Sequence, residues 1–285
     1  MSGLPPDHQE YRLGRTTLAL PRDHMLGAFR QHWPRLQLPV GDVAQAIGRK
    51  YAGFRAIDIG AHVGDTAAVI CSHADVPVLC IEGNPEFLPF LEENARRIGP
   101  HIAIERAFIG AEAGERPLAL RTDPAGTAVL VEVSDGSRMH LKTLDQVLRD
   151  HPGFAASKLI KTDIDGFDFE VIRGALDLLK SRRPVLFFEY APMETSTGPG
   201  DGFECFRSLT AIGYDRFLVW DGFGHYLMHL TVDDFDKLVD LTFFLVANRR
   251  FGAAIYHYDI AAFPRGEGDL FDAVRQQQLA LCLDP

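Results

Sequence analysis

The sequence is poor in cysteine. Its four cysteines, Cys71, Cys80, Cys205 and Cys282, are far apart. No Cys-x-x-Cys pair or other zinc-ligand spacing occurs, so a disulfide framework or a structural zinc site is not expected. Proteins that do without disulfides are typical of the reducing cytosol. We therefore expect a cytoplasmic protein.

Positive charge is scarce as well. The chain has 29 Lys and Arg residues against 39 Asp and Glu residues, which gives a formal net charge of −10 at pH 7. Nucleic acids and anionic membrane surfaces attract proteins that carry a basic face or stripe. We expect neither as a partner of this chain.

Long apolar runs are missing too. No stretch approaches the ~20 apolar residues that a membrane-spanning helix needs. The first residues, 1–11, contain two prolines and several charges, which argues against a signal peptide. The composition, 46% hydrophobic and 24% charged, is that of a globular protein with enough apolar material for a core.

Seven apolar runs of strand length are present, and helical patterns separate most of them. The runs are residues 54–59, 76–82, 102–108, 158–162, 184–190, 216–220 and 254–258. This order predicts an α/β fold with a mostly parallel seven-stranded sheet, helices on both faces and right-handed crossovers. The main domain is expected over residues 51–285.

Three segments are predicted to be additions to this domain. Residues 1–50 indicate an N-terminal helical segment with short helices at 25–33 and 43–51, broken by prolines. A β-hairpin is expected as an insertion at about residues 112–140. Residues 191–202, rich in proline and glycine, are expected to form a lid-like loop.

The first predicted strand ends in a glycine-containing turn. Gly60 and Gly64 would let a ligand approach the backbone at the carboxyl end of the strand, where open α/β sheets bind ligands. Their spacing differs from the Gly-x-Gly-x-x-Gly that places a helix N-terminus against a pyrophosphate. Residues 57–65 contain two acids and no lysine or arginine, so Asp58 is expected to balance a cationic amino group.

An acidic residue, Glu82, ends the second predicted strand. It lies near the ~20-residue spacing at which an acid binds both ribose hydroxyls of a nucleoside cofactor. The glycines could instead merely turn the chain, with the acids as solvated strand ends. The predicted cofactor-binding residues are Asp58, Gly60, Ala61, His62, Gly64, Asp65, Thr66, Glu82, Gly83, Asn84, Ala107, Phe108 and Asp163.

These segments resemble the FkbM family of methyltransferases. The similar elements are Ile57-Asp58-Ile59-Gly60-Ala61-His62-Val63-Gly64-Asp65-Thr66, Ile81-Glu82-Gly83-Asn84-Pro85, Thr143-Leu144-Asp145, Ile160-Lys161-Thr162-Asp163-Ile164-Asp165-Gly166-Phe167-Asp168, Phe188-Glu189 and Tyr258-Asp259-Ile260. Asp165 and Asp168 stand where Glu is commoner in the family, and His62 replaces a usual Asn.

The resemblance implies a Rossmann-like class I fold with S-adenosylmethionine as the cofactor. It also implies O-methylation of a hydroxyl in a sugar, a polysaccharide or a secondary metabolite. A small molecule or saccharide is therefore the expected partner, and homo-oligomerisation is left open.

Methyl transfer to a hydroxyl needs an aligned acceptor oxygen and a group that removes its proton. Asp163 follows the fourth predicted strand, on the same rim as Gly60 and Glu82, and is the first candidate for the base. It could instead only bind the amino end of the cofactor. His225, in an aromatic-rich stretch after Trp220, is the second candidate, although a histidine there is often packed or exposed.

A divalent cation is a further expectation. Glu189 closes the fifth predicted strand beside Asp163, and two carboxylates at one rim would suit Mg²⁺ or another divalent ion. Such an ion could lower the pKa of an acceptor hydroxyl. A glutamate at a strand end equally often accepts hydrogen bonds from neighbouring backbone.

Two other functions stay open at this point. Glu82 permits an NAD-dependent oxidoreductase, which the missing Gly-x-Gly-x-x-Gly disfavours. A non-catalytic cofactor-binding subunit is the other alternative, because binding residues do not prove turnover.

Overall fold

The structure, a computed structural model, describes residues 4–122, 128–195, 198–251 and 255–283. Its strands are β1 (Gln9–Leu13), β2 (Thr16–Leu20), β3 (Ala56–Ile59), β4 (Val78–Glu82), β5 (Ile102–Arg106), β6 (Phe108–Ile109), β7 (Gly114–Arg116), β8 (Leu118–Thr122), β9 (Ala128–Glu132), β10 (Met139–Lys142), β11 (Leu159–Thr162), β12 (Val185–Tyr190), β13 (Tyr214–Asp221), β14 (Tyr226–Thr231) and β15 (Tyr258–Pro264).

The helices are α1 (Leu26–His32), α2 (Leu38–Lys50), α3 (Asp65–His73), α4 (Leu88–Ile98), α5 (Leu144–Asp150), α6 (Asp168–Gly174), α7 (Leu176–Arg182), α8 (Pro199–Ala211), α9 (Phe235–Phe251) and α10 (Gly268–Leu283). No helix in the described ranges has both the length and the apolarity needed to cross a lipid bilayer.

The main sheet has the strand order β14-β13-β15-β12-β11-β3-β4-β5. The five strands from β12 to β5 run parallel, whereas β15 runs antiparallel between β12 and β13. The predicted α/β fold with a mostly parallel sheet is confirmed. The sheet has eight strands and not seven, because β14 pairs antiparallel with β13.

The inner strands are covered on both faces. Every residue of β3, β4 and β12 is buried, as expected for the continuous apolar runs of a parallel sheet. Helices α2, α3, α4 and α10 pack on one face, and α5, α6, α8 and α9 pack on the other. The carboxyl ends of the parallel strands consequently meet at one rim.

The last strand lies further along the chain than predicted. The apolar run at 254–258 placed it too early, since β15 begins at Tyr258. Residue 254 itself lies outside the described residues. The segment just before β15 is therefore a connection that reaches the rim, and it contains His257.

The N-terminal segment begins with a β-hairpin, β1 and β2, that the sequence analysis did not anticipate. Asn94 on α4 fastens it: the side-chain amide donates to the carbonyl oxygens of Ala19 (2.8 Å) and Val63 (2.7 Å), and its oxygen accepts from the Ala19 N–H (2.7 Å). This buried amide links the hairpin to the loop after β3. Helices α1 and α2 follow and lie near that loop.

The predicted inserted hairpin is formed by β8 and β9, which pair antiparallel; the turn residues 123–127 lie outside the described residues. A small sheet, β6-β10-β7, adjoins it in the chain. The loop predicted over residues 191–202 ends earlier than expected, because α8 begins at Pro199, and proline is favoured in the first turn of a helix. Residues 196 and 197 are outside the described ranges.

Candidate active site

A cavity of about 320 Å³ opens at the carboxyl ends of the parallel strands. One side, the glycine-loop half, is lined by the loops after β3, β4 and β5. The other, the acidic half, is lined by the loop after β11, the end of β12 and the segments next to β13 and β15. Ten of the predicted cofactor-binding residues line the cavity: Gly60, His62, Asp65, Thr66, Glu82, Gly83, Asn84, Ala107, Phe108 and Asp163. Asp58, Ala61 and Gly64 lie behind its wall.

Glu82 is held in place by backbone donors. Its two carboxylate oxygens accept from the N–H of His62 (2.8 Å) and of Asn84 (2.6 Å). Burial raises the pKa of Glu82, which these hydrogen bonds only partly offset. Each oxygen keeps a lone pair for a further donor. The side-chain nitrogen of Asn84 is buried with no partner in the structure and also borders the cavity.

Gly60 allows two loops to cross. Its φ is +74°, and a Cβ at this position would lie 2.0 Å from the carbonyl oxygen of Asp163. Only glycine fits such a crossing without displacing the loop after β11. The glycine-rich turn thus brings the ends of β3 and β11 together, which is a structural reason for the glycine.

Lys161, which was not predicted as a site residue, lines the cavity and contacts two of the predicted site residues. Its Nζ is buried, lies 3.0 Å from Asp58 Oδ1 and 3.5 Å from Asp163 Oδ2, and donates to the Gly60 carbonyl oxygen (3.2 Å). Burial alone would lower the pKa of Lys161, but Asp58 and Asp163 outweigh that effect and raise it. Burial raises the pKa of Asp58 to about 6, and Lys161 opposes the rise.

This pairing revises the expectation for Asp58. The carboxylate is fully buried and balances Lys161 within the protein, so it is not exposed to a ligand in the cavity. A lysine inside a strand predicted to be buried was a readable signal, because a buried charge requires a buried partner.

The acidic half concentrates carboxylates. Ligand oxygens of Asp165, Glu189 and Glu194 lie within 4.8 Å of one another. Burial, followed by the charge of Asp163, raises the pKa of Asp165 to about 8 and that of Asp168 to about 7. The same two causes raise the pKa of Glu189 well above its usual range.

The carboxylate group differs from the predicted metal pair. Asp163 faces Lys161, and Asp165 and Glu194 are the acids that approach Glu189. Three hard oxygen ligands would fit a divalent cation. Glu189, however, also faces the imidazole of His257 at 3.4 Å, and we assign no ion to this group.

His225 and His257 differ in their position relative to the cavity. The candidate base His225 is 54% exposed, pairs with Asp221 at 3.0 Å and does not border the cavity. His257, which the sequence analysis did not consider, does line the cavity. It stands next to the family-like segment Tyr258-Asp259-Ile260, which was the available signal. Of these two histidines, His257 is the one that lines the cavity.

The N-terminal segment supplies part of the wall. Gln37, with a left-handed φ of +62°, precedes α2 and donates from Nε2 to Asp65 Oδ2 at 2.6 Å. Burial would raise the pKa of Asp65, but His62 and this hydrogen bond hold it below its usual range. Leu36 and Val40 line the cavity beside it. No sequence motif pointed to these residues.

Comparison with known proteins gives a family match and distant structural neighbours. A model of the methyltransferase FkbM domain matches residues 58–230. No curated protein sequence matches the chain significantly.

Among solved structures, the methyltransferase FkbM from Methylobacillus flagellatus is 18% identical to this chain with a TM-score of 0.40. The match covers 55% of this chain and 37% of the Methylobacillus protein. Precorrin-6y C5,15-methyltransferase from Geobacter metallireducens is 14% identical with a TM-score of 0.42, covering 79% and 87%. The O-methyltransferase TomG from Streptomyces achromogenes is 14% identical with a TM-score of 0.43, covering 79% and 80%.

Proposed function

The chain belongs to the FkbM methyltransferase family, and on that basis we propose that it is an S-adenosylmethionine-dependent O-methyltransferase. The proposed acceptor is a hydroxyl of a carbohydrate or a secondary metabolite. The methyl donor occupies the glycine-loop half of the cavity and reaches Asp163 with its amino end, and the acceptor occupies the rest of the acidic half.

The observation that carries this proposal is the acidic composition of the cavity wall. Its carboxylates are Asp65, Glu82, Asp163, Asp165, Glu189 and Asp259. Lys161 is the only lysine or arginine among the described lining residues, and it is already paired with Asp58 and Asp163. The wall therefore offers carboxyl oxygens to a ligand with a sulfonium and an ammonium group, and its described residues include no unpaired lysine or arginine that could bind a pyrophosphate.

When bound, S-adenosylmethionine supplies a methyl group on a positively charged sulfur, already activated for transfer. The chain's own residues hold and orient the reactants. Glu82 would accept from the ribose hydroxyls, and the unpartnered side-chain nitrogen of Asn84 would donate to the adenine ring. Asp163, held by Lys161, would accept from the amino end of the donor, which was one of its two predicted roles.

Titration calorimetry with S-adenosylhomocysteine and with NAD⁺ tests the proposal against an oxidoreductase. We expect S-adenosylhomocysteine to bind and NAD⁺ not to bind. Binding of NAD⁺ with no response to S-adenosylhomocysteine would end the methyltransferase proposal for this chain.

Transfer of a radiolabelled methyl group onto saccharides and metabolites of the source organism tests turnover. Label on a hydroxyl oxygen supports O-methylation, whereas label on nitrogen or carbon contradicts it. Binding of S-adenosylhomocysteine without transfer to any acceptor would favour a cofactor-binding subunit.

The proposal requires no divalent cation, because the donor is already activated and the acceptor needs only alignment and a base. We expect the rate to be unchanged, within about twofold, after removal of metals with EDTA. The check is the initial rate with and without added Mg²⁺ or Mn²⁺. A loss in EDTA that either ion restores would contradict this and return Glu189 to the role of a metal ligand.

A further inference from the structure

The acidic half of the cavity holds a single imidazole among the described lining residues, that of His257. Its Nδ1 lies 3.4 Å from Oε2 of Glu189 on the neighbouring strand β12. The ring is recessed, with 31% of the side chain exposed. His62, the other histidine at the cavity, lies in the glycine-loop half against Phe87 and His24.

A glycine makes room for this ring. Gly222, in the turn after β13, borders the same cavity, and a Cβ there would lie 2.3 Å from His257 Nε2. A larger residue would push the imidazole aside. The ring is therefore held between a carboxylate at one nitrogen and a bare backbone at the other.

Resting on the proposed transfer to a hydroxyl, we propose that His257 is the general base and that Glu189 is the residue that positions it. An oxygen lone pair of the acceptor forms the new bond to the methyl carbon. The carbon–sulfur bond breaks, and its electron pair stays on sulfur, which becomes the neutral thioether of S-adenosylhomocysteine. The hydroxyl proton passes to His257 Nε2.

The charges around the ring suit this role. Asp163 in the loop after β11 and Asp221 on β13 act on the ring through their charges, and Glu189 on β12 lies beside it. Asp165 and Asp259 line the same cavity. Burial lowers the pKa of His257, so the unprotonated ring dominates at neutral pH, while Asp163 and Asp221 partly offset this. The charges of Asp163 and Asp221 stabilise the imidazolium that forms during transfer.

Glu189 determines which nitrogen carries the proton. Oε2 of Glu189 lies 3.4 Å from Nδ1, and an unprotonated carboxyl oxygen that accepts from Nδ1–H leaves the Nε2 lone pair free for the acceptor, which is the tautomer a base needs. Asp163 is less suited to the role, because Lys161 already neutralises it. His225 lies outside the cavity wall.

Methyl transfer by variants tests His257, with the acceptor found in the screen described above. We expect His257→Gln to lower kcat by ~10²–10⁴-fold, the usual contribution of a general base, with S-adenosylhomocysteine affinity and melting temperature retained. Gly222→Ala, which crowds the ring, should lower kcat in the same direction. His140→Gln, an exposed histidine paired with Glu115, is the matched control and should leave kcat unchanged.

Three results overturn the proposal. A kcat of His257→Gln within threefold of the wild type removes the base, and a large loss in His225→Gln alone assigns it to the other histidine. If the wild-type protein transfers a methyl group to none of the acceptors in the screen, the proposed function fails, and this inference fails with it.

Nitrogen NMR of ¹⁵N-histidine-labelled protein tests the role of Glu189, because the tautomer of His257 can be measured without an acceptor. His257→Gln identifies the signal of His257. In the wild type, we expect the neutral ring to carry its proton on Nδ1. In Glu189→Ala, we expect this tautomer preference to be lost. The same variant should lower kcat at least ~10-fold with little change in KM. Glu189→Asp should restore part of both. A proton on Nε2 in the wild type, or an unchanged tautomer and kcat in Glu189→Ala, overturns the positioning role.

Discussion

Single carboxylates inside this protein avoid the cost of burial in two ways. Glu82 accepts hydrogen bonds from two backbone N–H groups, whereas Asp58 is paired with the buried Lys161. The first arrangement leaves lone pairs that face the cavity, and the second is closed within the protein. Of the two strand-end acids, only Glu82 can therefore serve as a ligand group.

Replacement of Glu82 tests this distinction. Glu82→Gln keeps the shape but removes the charge and one acceptor, so we expect the affinity for S-adenosylhomocysteine to fall by about 10- to 100-fold, the range for hydrogen bonds to a charged group. The control is Glu92→Gln, a partly exposed glutamate on α4 that pairs with Arg106. Calorimetric titration of both variants gives the answer. Equal affinities would remove Glu82 from the cofactor site.

Asp165 provides a pH-dependent test. Its pKa in the folded protein is about 8 against a usual 3.8, so the folded state holds the proton more tightly than the unfolded chain does. Stability contributed by this group is present at low pH and is lost as the pH rises toward 8. The left-handed backbone of Asp165, with φ of +46°, also accommodates asparagine.

We expect Asp165→Asn to melt at nearly the wild-type temperature at pH 5 and about 2–4 °C higher at pH 8, which corresponds to about 1 kcal/mol after allowance for solvent screening. Thermal melts of the cofactor-free protein across this pH range provide the measurement. Asp240→Asn, at an exposed position on α9, should show no such trend. A difference that shrinks with rising pH would reverse the sign and contradict the argument.

At the scale of elements, the sequence predicted the strands that are covered on both faces. β3, β4, β11 and β12 are short runs rich in apolar residues, and every one of their residues is buried. β14 was missed, since it is an edge strand whose residues are mostly only half-buried. Edge strands lack the continuous apolar pattern that marks a covered strand.

The same reasoning explains the candidate site. Gly60 and Glu82 stand at the ends of buried strands, so their meeting at one rim follows from the parallel sheet. Gln37 and His257 reach the cavity through the packing of α2 and of the connection before β15. Neither lies at the end of a predicted strand, and tertiary packing of this kind leaves no local pattern in the sequence.

The contact between the N-terminal segment and the loop after β3 gives a prediction for Gln37. Gln37→Asn retains an amide and tolerates the left-handed backbone, but its side chain is too short to reach Asp65. We expect S-adenosylhomocysteine affinity to fall by ~5- to 10-fold, the value of about one hydrogen bond. The control is Gln45→Asn on α2, the helix that follows Gln37. The side chain of Gln45 accepts from Arg49, and this variant should bind S-adenosylhomocysteine normally. Identical affinities of the two variants would show that Gln37 only completes the wall.

At the scale of the whole molecule, one buried carboxylate joins distant parts of the chain. Asp42 on α2 accepts from Arg35 (2.7 Å) and from the side-chain amides of Gln277 and Gln278 (2.9 Å each) on α10. Gln278 in turn accepts from Trp220 Nε1 on β13 at 3.0 Å. The network fastens the N-terminal helices to the C-terminal helix.

Loss of this carboxylate leaves several buried donors unpaired. We expect Asp42→Ala to lower the free energy of unfolding by about 3 kcal/mol. Asp269→Ala also removes a contact between α10 and α2, an ion pair with Lys50, but that aspartate is 63% exposed, so the loss should stay below about 1 kcal/mol. Urea unfolding of both variants compares them. Similar losses would mean that the Asp42 network adds no more than a surface ion pair.

The pair formed by Lys161 and Asp58 has a consequence for how this sequence can change over time. Substitution of either residue alone leaves an uncompensated charge in the interior, at a cost of about 3–5 kcal/mol, whereas exchange of both for neutral residues of similar volume removes both buried charges and leaves only the partly exposed Asp163 without its cation. In relatives that keep this strand arrangement, we expect the two positions to covary. An alignment that is deep enough should link β3 to β11 through them.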